Sequence, residues 1–210
     1  ANTGGSNNVA VGRNALGANT TGGSNTAVGT SALANSTTSS NNTAVGIQAL
    51  IANTTGTNNT AVGRNALTSN TTASGNTAVG YNVLQANTDG ANNNAFGSTA
   101  LDACTTGDQN DAFGVSALGS VTTGGDNCAF GYYAGATLNS SANTLMGYAA
   151  GQAISTGGSN TFMGHQAGDA VTTGEQNVII GKSAGGAATT ASYNVLIGTN
   201  AGDAITTGTQ

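Results

Sequence analysis

The chain has 210 residues, of which 5% are charged and 37% hydrophobic, with 34 glycines, no proline, no tryptophan and a net charge of −5. Its three Lys and Arg side chains, Arg13, Arg64 and Lys182, make no electrostatic footprint for nucleic acid or an anionic membrane, so neither is expected as a partner. The low charge and the even spacing of Val, Leu, Ile and Phe exclude an intrinsically disordered chain, and no apolar run approaches the roughly 18 residues of a membrane span.

From the N-terminus, Asn8-Val9-Ala10-Val11-Gly12 is the first copy of an Asn-x-apolar-apolar-Gly motif. Its glycine recurs at Gly29, Gly46, Gly63, Gly80, Gly97, Gly114, Gly131, Gly147, Gly164, Gly181 and Gly198. Every interval is 17 residues except Gly131 to Gly147, which is 16. A unit of this length is too short for a helix pair, and its Gly and Thr-Thr-Gly punctuation cuts it into short extended pieces. The pattern predicts an all-β chain, a β-solenoid or β-roll of twelve coils of about 17 residues, with a strand running up to each motif glycine. It predicts one repeat domain over residues 1–210 and a rod roughly 55–60 Å long, since stacked strands lie about 4.8 Å apart.

Two positions in the unit change together along the chain. The residue two before each glycine is Ala from Ala10 to Ala129, then Leu145, Phe162, Ile179 and Leu196. Four residues after the glycine stand Leu16, Leu33, Leu50, Leu67, Leu84, Leu101 and Leu118, then Gly135, Gly151, Gly168, Gly185 and Gly202. Small-plus-large becomes large-plus-small, and cores tolerate substitutions that hold volume, so both positions are expected to share one interior pocket. The eighth unit, Ala129 with Gly135, breaks the exchange and stands as the join between two packing styles near residues 129–147.

The residue just before each glycine is apolar in every unit, from Val11 to Ile197. On a regular strand this column faces away from the interior and lines a second surface that several chains would share; a bend at the glycine would instead turn both columns into one core. The motif asparagines Asn8, Asn25, Asn42, Asn59, Asn76, Asn93, Asn110, Asn127, Asn143, Asn160, Asn177 and Asn194 are expected to stack as a structural ladder of amides.

Units such as Asn25-Thr-Ala-Val-Gly29 with Ala32-Leu33, and Asn59-Thr-Ala-Val-Gly63 with Ala66-Leu67, resemble the repeat regions of bacteriophage tail fibres that often end in an endosialidase-type intramolecular chaperone domain. They are also similar to the β-roll heads of trimeric autotransporter adhesins. The resemblance covers essentially the whole chain. It implies a parallel homotrimeric fibre at a virion or cell surface, used in host attachment. A self-assembling bacterial or archaeal extracellular filament or surface adhesin is the alternative.

Chemistry of other kinds finds little support in the residues. A catalytic triad needs a histidine, and His165 sits among ordinary repeat residues. Asp102, Asp108, Asp111 and Asp126 crowd into neighbouring coils as in a glycan-hydrolysing tail spike, but no spacing in the sequence places two of them about 5–10 Å apart. Recurring Thr-Thr pairs invite an ice-binding reading, which the opposite facing of adjacent strand residues spoils. No acid recurs at a fixed position, so calcium-binding repeats are excluded, and Cys104, Cys128 and His165 are too few for a zinc site. The chain is therefore read as a non-enzyme without cofactor. One outward column is a candidate surface for recognition of a cell-surface glycan or receptor: Arg13, Arg64, Tyr81, Tyr132, Tyr148, His165 and Lys182 all follow a motif glycine directly. The sequence starts and stops in nearly the same phase of the repeat, which suits a segment of a longer fibre or a unit that stacks head to tail.

Overall fold

The computed structural model describes residues 2–208. Among them there is no helix, and twelve strands of three residues form one parallel sheet in strictly sequential order. They are β1 (Val9–Val11), β2 (Thr26–Val28), β3 (Thr43–Val45), β4 (Thr60–Val62), β5 (Thr77–Val79), β6 (Asn94–Phe96), β7 (Asp111–Phe113), β8 (Cys128–Phe130), β9 (Thr144–Met146), β10 (Thr161–Met163), β11 (Val178–Ile180) and β12 (Val195–Ile197). Each pairs with the next in the register set by the repeat, for example Ala44 with Ala61 and Ala61 with Ala78. The molecule is a β-solenoid in which the twelve strands bound eleven complete turns.

Each strand stops at its motif glycine because that residue holds φ between 125° and 147°, which a side chain rarely adopts. Space forbids a side chain as well: a Cβ on Gly63 would run into the carbonyl oxygen of Gly80 one coil on. The strands themselves are regular. In β2 to β7 the middle residue is fully buried while its two neighbours are half-buried and face outward. The bend that would fold both apolar columns into one core does not occur.

The interior is lined by columns of stacked residues. One holds the middle strand residues, a second the Leu16-type side chains, and a third the alanines just before those leucines, such as Ala49 and Ala66. Leu33 to Leu118 are fully buried, as are Phe162 and Ile179, with Leu145 at 1% exposure. The volume exchange is physical contact. A Cβ on Gly151 would lie 2.8 Å from Leu145 Cδ2, and one on Gly168 would overlap the Phe162 ring. The join is tighter than the sequence suggests, because the Gly135 space is closed by Leu145 of the following coil, with Leu118 and Leu138 beside it. The exchange is therefore displaced by one coil at residues 129–147 and leaves no gap.

The position shared by Leu16 and Gly135 carries a backbone constraint too. From Leu16 to Leu118 the seven leucines hold φ of 49–53°, in the left-handed region, and Gly135 to Gly202 hold 59–76°. A leucine there costs about 1 kcal/mol or more that glycine avoids. The later coils remove that strain and supply the missing volume from the strand.

The 16-residue coil is closed by one side chain. In other coils the N–H and hydroxyl of a threonine such as Thr20 both donate to the carbonyl oxygen of Thr37 one coil on, at 2.9 and 3.0 Å. At Thr122 both donate instead to Asn139 Oδ1, each at 2.9 Å. The amide oxygen replaces the carbonyl lost with the deleted residue.

Transplanting the later packing style into an early coil tests the shared pocket. Ala61→Leu alone is expected to destabilise by about 1–3 kcal/mol through overpacking. Leu67→Gly alone is expected to destabilise by about 2–5 kcal/mol through the cavity it leaves. The double substitution is expected to return to within about 1 kcal/mol of the native chain, measured as the coupling energy in urea unfolding.

Candidate functional site

The motif asparagines bind each coil to the next with both ends of the amide. The backbone N–H of each, from Asn25 to Asn194, donates to the Oδ1 of the asparagine one coil earlier, at 2.9–3.2 Å. The Nδ2 of the same side chain donates forward, as from Asn59 to the Ala73 carbonyl at 2.9 Å and from Asn93 to the Gly107 carbonyl at 2.8 Å. From Asn25 onward these residues are at most 4% exposed. Such a ladder satisfies buried backbone groups at a corner where the chain turns, and it offers no group to a ligand.

A second interior ladder has no counterpart in the sequence reading. Seven residues after the motif glycine stand Asn19, Ser36, Asn53, Asn70, Asn87, Cys104 and Val121, and then apolar residues to Ile205. Asn87 Nδ2 donates to Asn70 Oδ1 and to the Gly90 carbonyl, and Asn70 does the same toward Asn53 and Ala73. Two buried acceptors here, Asn19 Oδ1 and Asn87 Oδ1, have no partner. Each faces the place where the ladder is interrupted, by Ser36 and by Cys104. Ser36 is bonded to the hydroxyl of Ser39. A Cβ at the equivalent Gly22 would lie 2.6 Å from Asn19 Oδ1, so Ser39 occupies room that an asparagine at 36 needs. The Cys104 thiol bonds the Gly107 carbonyl at 3.5 Å, and burial pushes its pKa up to about 11.

The outward face of the sheet carries two columns. One is the first strand residue, Thr in six of the twelve strands; the other is the apolar column from Val11 to Ile197. The apolar column is half-buried over Val28 to Phe113 and exposed at Phe130, Met146 and Met163. Within it Phe96, Phe113 and Phe130 stack on one another, with centroids 4.8 and 5.3 Å apart. Cys128 lies on this face beside Phe130, and burial, with Asp111 adding to it, pushes its thiol pKa up.

The residues after the glycines form an exposed column of their own. Arg13, Arg64, Tyr81, Tyr132, Tyr148, His165 and Lys182 are all exposed. Tyr132, Tyr148 and His165 stack in turn, at 5.6 and 5.0 Å, and Arg64 lies 6.0 Å over the Tyr81 ring. Tyr133 packs edge-on against Tyr132, with ring centroids 4.2 Å apart.

The structure does not gather the four acids into one site, although it sets Asp108 and Asp126 in adjacent coils, where the Asp126 N–H donates to the Asp108 carbonyl at 3.1 Å. Asp111 sits on the outer sheet face and accepts from Asn94 Nδ2 at 2.8 Å, while Asp108 accepts the Ala91 N–H at 2.6 Å. Asp102 occupies another corner, where burial raises its pKa, and Asp126 is exposed. The threonine pairs divide their roles. Thr54 donates its hydroxyl to the Thr71 carbonyl at 3.1 Å and Thr55 faces solvent, so each pair leaves one exposed column. Comparison with protein-family models, with curated proteins and with solved structures returns no match.

Two outcomes follow from the interrupted ladder. Ser36→Asn combined with Ser39→Gly is expected to reconnect Asn19 with Asn53 and raise stability by about 1 kcal/mol in urea unfolding, the net value of satisfying a buried acceptor. For Cys104 the folded pKa lies above the ordinary 9.0, so its contribution to stability is complete below pH 9 and is lost as pH rises toward about 11. Cys104→Val, the residue of the next coil, is expected to flatten that alkaline limb of the melting temperature.

Proposed function

We propose that the chain is a segment of a non-enzymatic, homotrimeric fibre displayed outside the cell, on a virion or a cell surface, with a role in attachment like that of bacteriophage tail fibres. The observation that supports it is the outward apolar column, which runs through all twelve strands and, among the described residues, is covered by no other strand. Exposed apolar stripes of this extent mark contact surfaces. The strip is about 10 Å wide and about 55 Å long, close to 550 Å² per chain, and three parallel chains around a common axis cover all three strips against one another. The Tyr and Arg column beyond the glycine corner stays open when the sheet face is covered, and it supplies residue types that dominate recognition of a glycan or protein receptor.

Light scattering under native conditions is expected to give three times the 20.0 kDa chain mass. Val62→Lys or Phe113→Lys is expected to dissociate or unfold the assembly, and Thr30→Lys to leave it intact. A native mass equal to one chain, or silence of all three substitutions, would sink the proposal.

A further inference from the structure

We infer that Phe96, Phe113 and Phe130 form a key that fixes the axial register between neighbouring chains, each set of three meeting its equals on the other chains. The inference rests on the homotrimer proposed above and names what aligns it. The three rings are not needed inside their own coils, where Ala95, Ala112 and Ala129 fill the strand position and are fully buried. They project outward, stacked with interplanar angles of 7° and 25°, and Phe130 is 56% exposed.

Elsewhere the column is nearly uniform along the rod: Val in the first five strands, Met in β9 and β10, Ile in β11 and β12. A slip of one coil, about 4.8 Å, sets like residue against like at most of those levels and meets little resistance there. The phenylalanine segment opposes it most strongly, and the change from Met163 to Ile180 opposes it less. A displaced ring overhangs Val at one end of the segment and Met at the other, leaving a void beside one and crowding the other. The neighbouring outward column changes over the same three coils, where Asn94, Asp111 and Cys128 replace the usual Thr and Asn94 bonds Asp111. Both outward columns change together over these three coils and are monotonous from β2 to β5 before them, while Val178 and Val195 with Ile180 and Ile197 mark a second, milder change near the far end. A register key has that distribution, and a general adhesive stripe does not.

Disulfide trapping on the whole chain decides the matter, because a disulfide tolerates a Cα separation of only about 4.4–6.8 Å and so resolves one coil from the next. In a Cys128→Thr background, differently tagged chains carrying Val62→Cys or Val79→Cys are refolded together and oxidised. Bonds 62–62 are expected, with 62–79 bonds absent. A second chain carries the key moved by one coil, Val79→Phe with Phe130→Val, together with Val62→Cys. Mixed with chains carrying Val79→Cys, it is expected to form 62–79 bonds, since its phenylalanines match one coil out of step. Exclusion of the moved-key chain from mixed trimers, with each chain trimeric alone, also supports the key. Mixed trimers that form no 62–79 bonds between the moved-key chain and an unmoved one overturn it, as does the lack of any 62–62 bond in the unmoved trimer. Should the moved-key chain fail to fold, Phe96→Val/Phe113→Val/Phe130→Val serves instead: 62–79 bonds as frequent as 62–62 support the key, and 62–62 bonds alone overturn it. A monomeric parent chain refutes the trimer itself, a result separate from all of these.

Discussion

The hydrogen bond from each motif asparagine N–H to the amide oxygen of the asparagine one coil earlier governs the rest of the molecule. It recurs eleven times from Asn25 to Asn194 and is buried over almost all of that length. A shift of one residue between adjacent coils would leave both its donor and its acceptor unsatisfied inside the rod, a penalty of about 1–3 kcal/mol for each group. Equivalent residues are thereby stacked above one another, and every other column follows from that alignment: the alanines of the strands, the leucines of the corner and the apolar stripe outside. The 16-residue coil obeys the same rule, since the Asn143 N–H still donates to Asn127 Oδ1 at 3.0 Å, while Asn139 supplies Thr122 with the acceptor that the missing residue would have carried.

With the backbone held in this way, two interior solutions fit one path. In the early coils a leucine fills the core from a left-handed position that disfavours it, and in the later coils a glycine takes that position while Leu145, Phe162, Ile179 or Leu196 reaches across. The strain at Leu16 to Leu118 is sustained because each leucine is held by coils on both sides. The change of style near Gly135 needs no adaptor. Leu145 bridges the level where both partners are small.

Much of this was legible in the sequence, for definite reasons. The exchange between the Leu16 and Leu145 positions shows as a reciprocal change at fixed spacing, and the strand ends show because only glycine fits beside the carbonyl of the next coil. The outward face of Val62 and Phe113 follows from strand alternation. The interior column seven residues after each motif glycine was hidden by its change of chemistry, from Asn19 and Asn53, which look like corner residues, through Cys104 to Val121 and Ile154. The left-handed leucines were equally hidden: spacing reports burial, and leucine gives no warning of a positive φ. Asn139 stood as one more polar residue at a deletion, and nothing but coordinates reveals that its amide closes a turn.

The direction of the bonds between coils bears on how such a rod answers tension. They lie along its long axis, and each coil touches only its neighbours. A pull from the two ends therefore loads the bonds between coils in series, so the outermost coil gives way before the interior ones carry more strain. One released coil of 17 residues lengthens from about 5 Å to about 55 Å when extended. The rod yields in steps, one coil at a time, with the remainder intact as a template on which a slackened coil winds back.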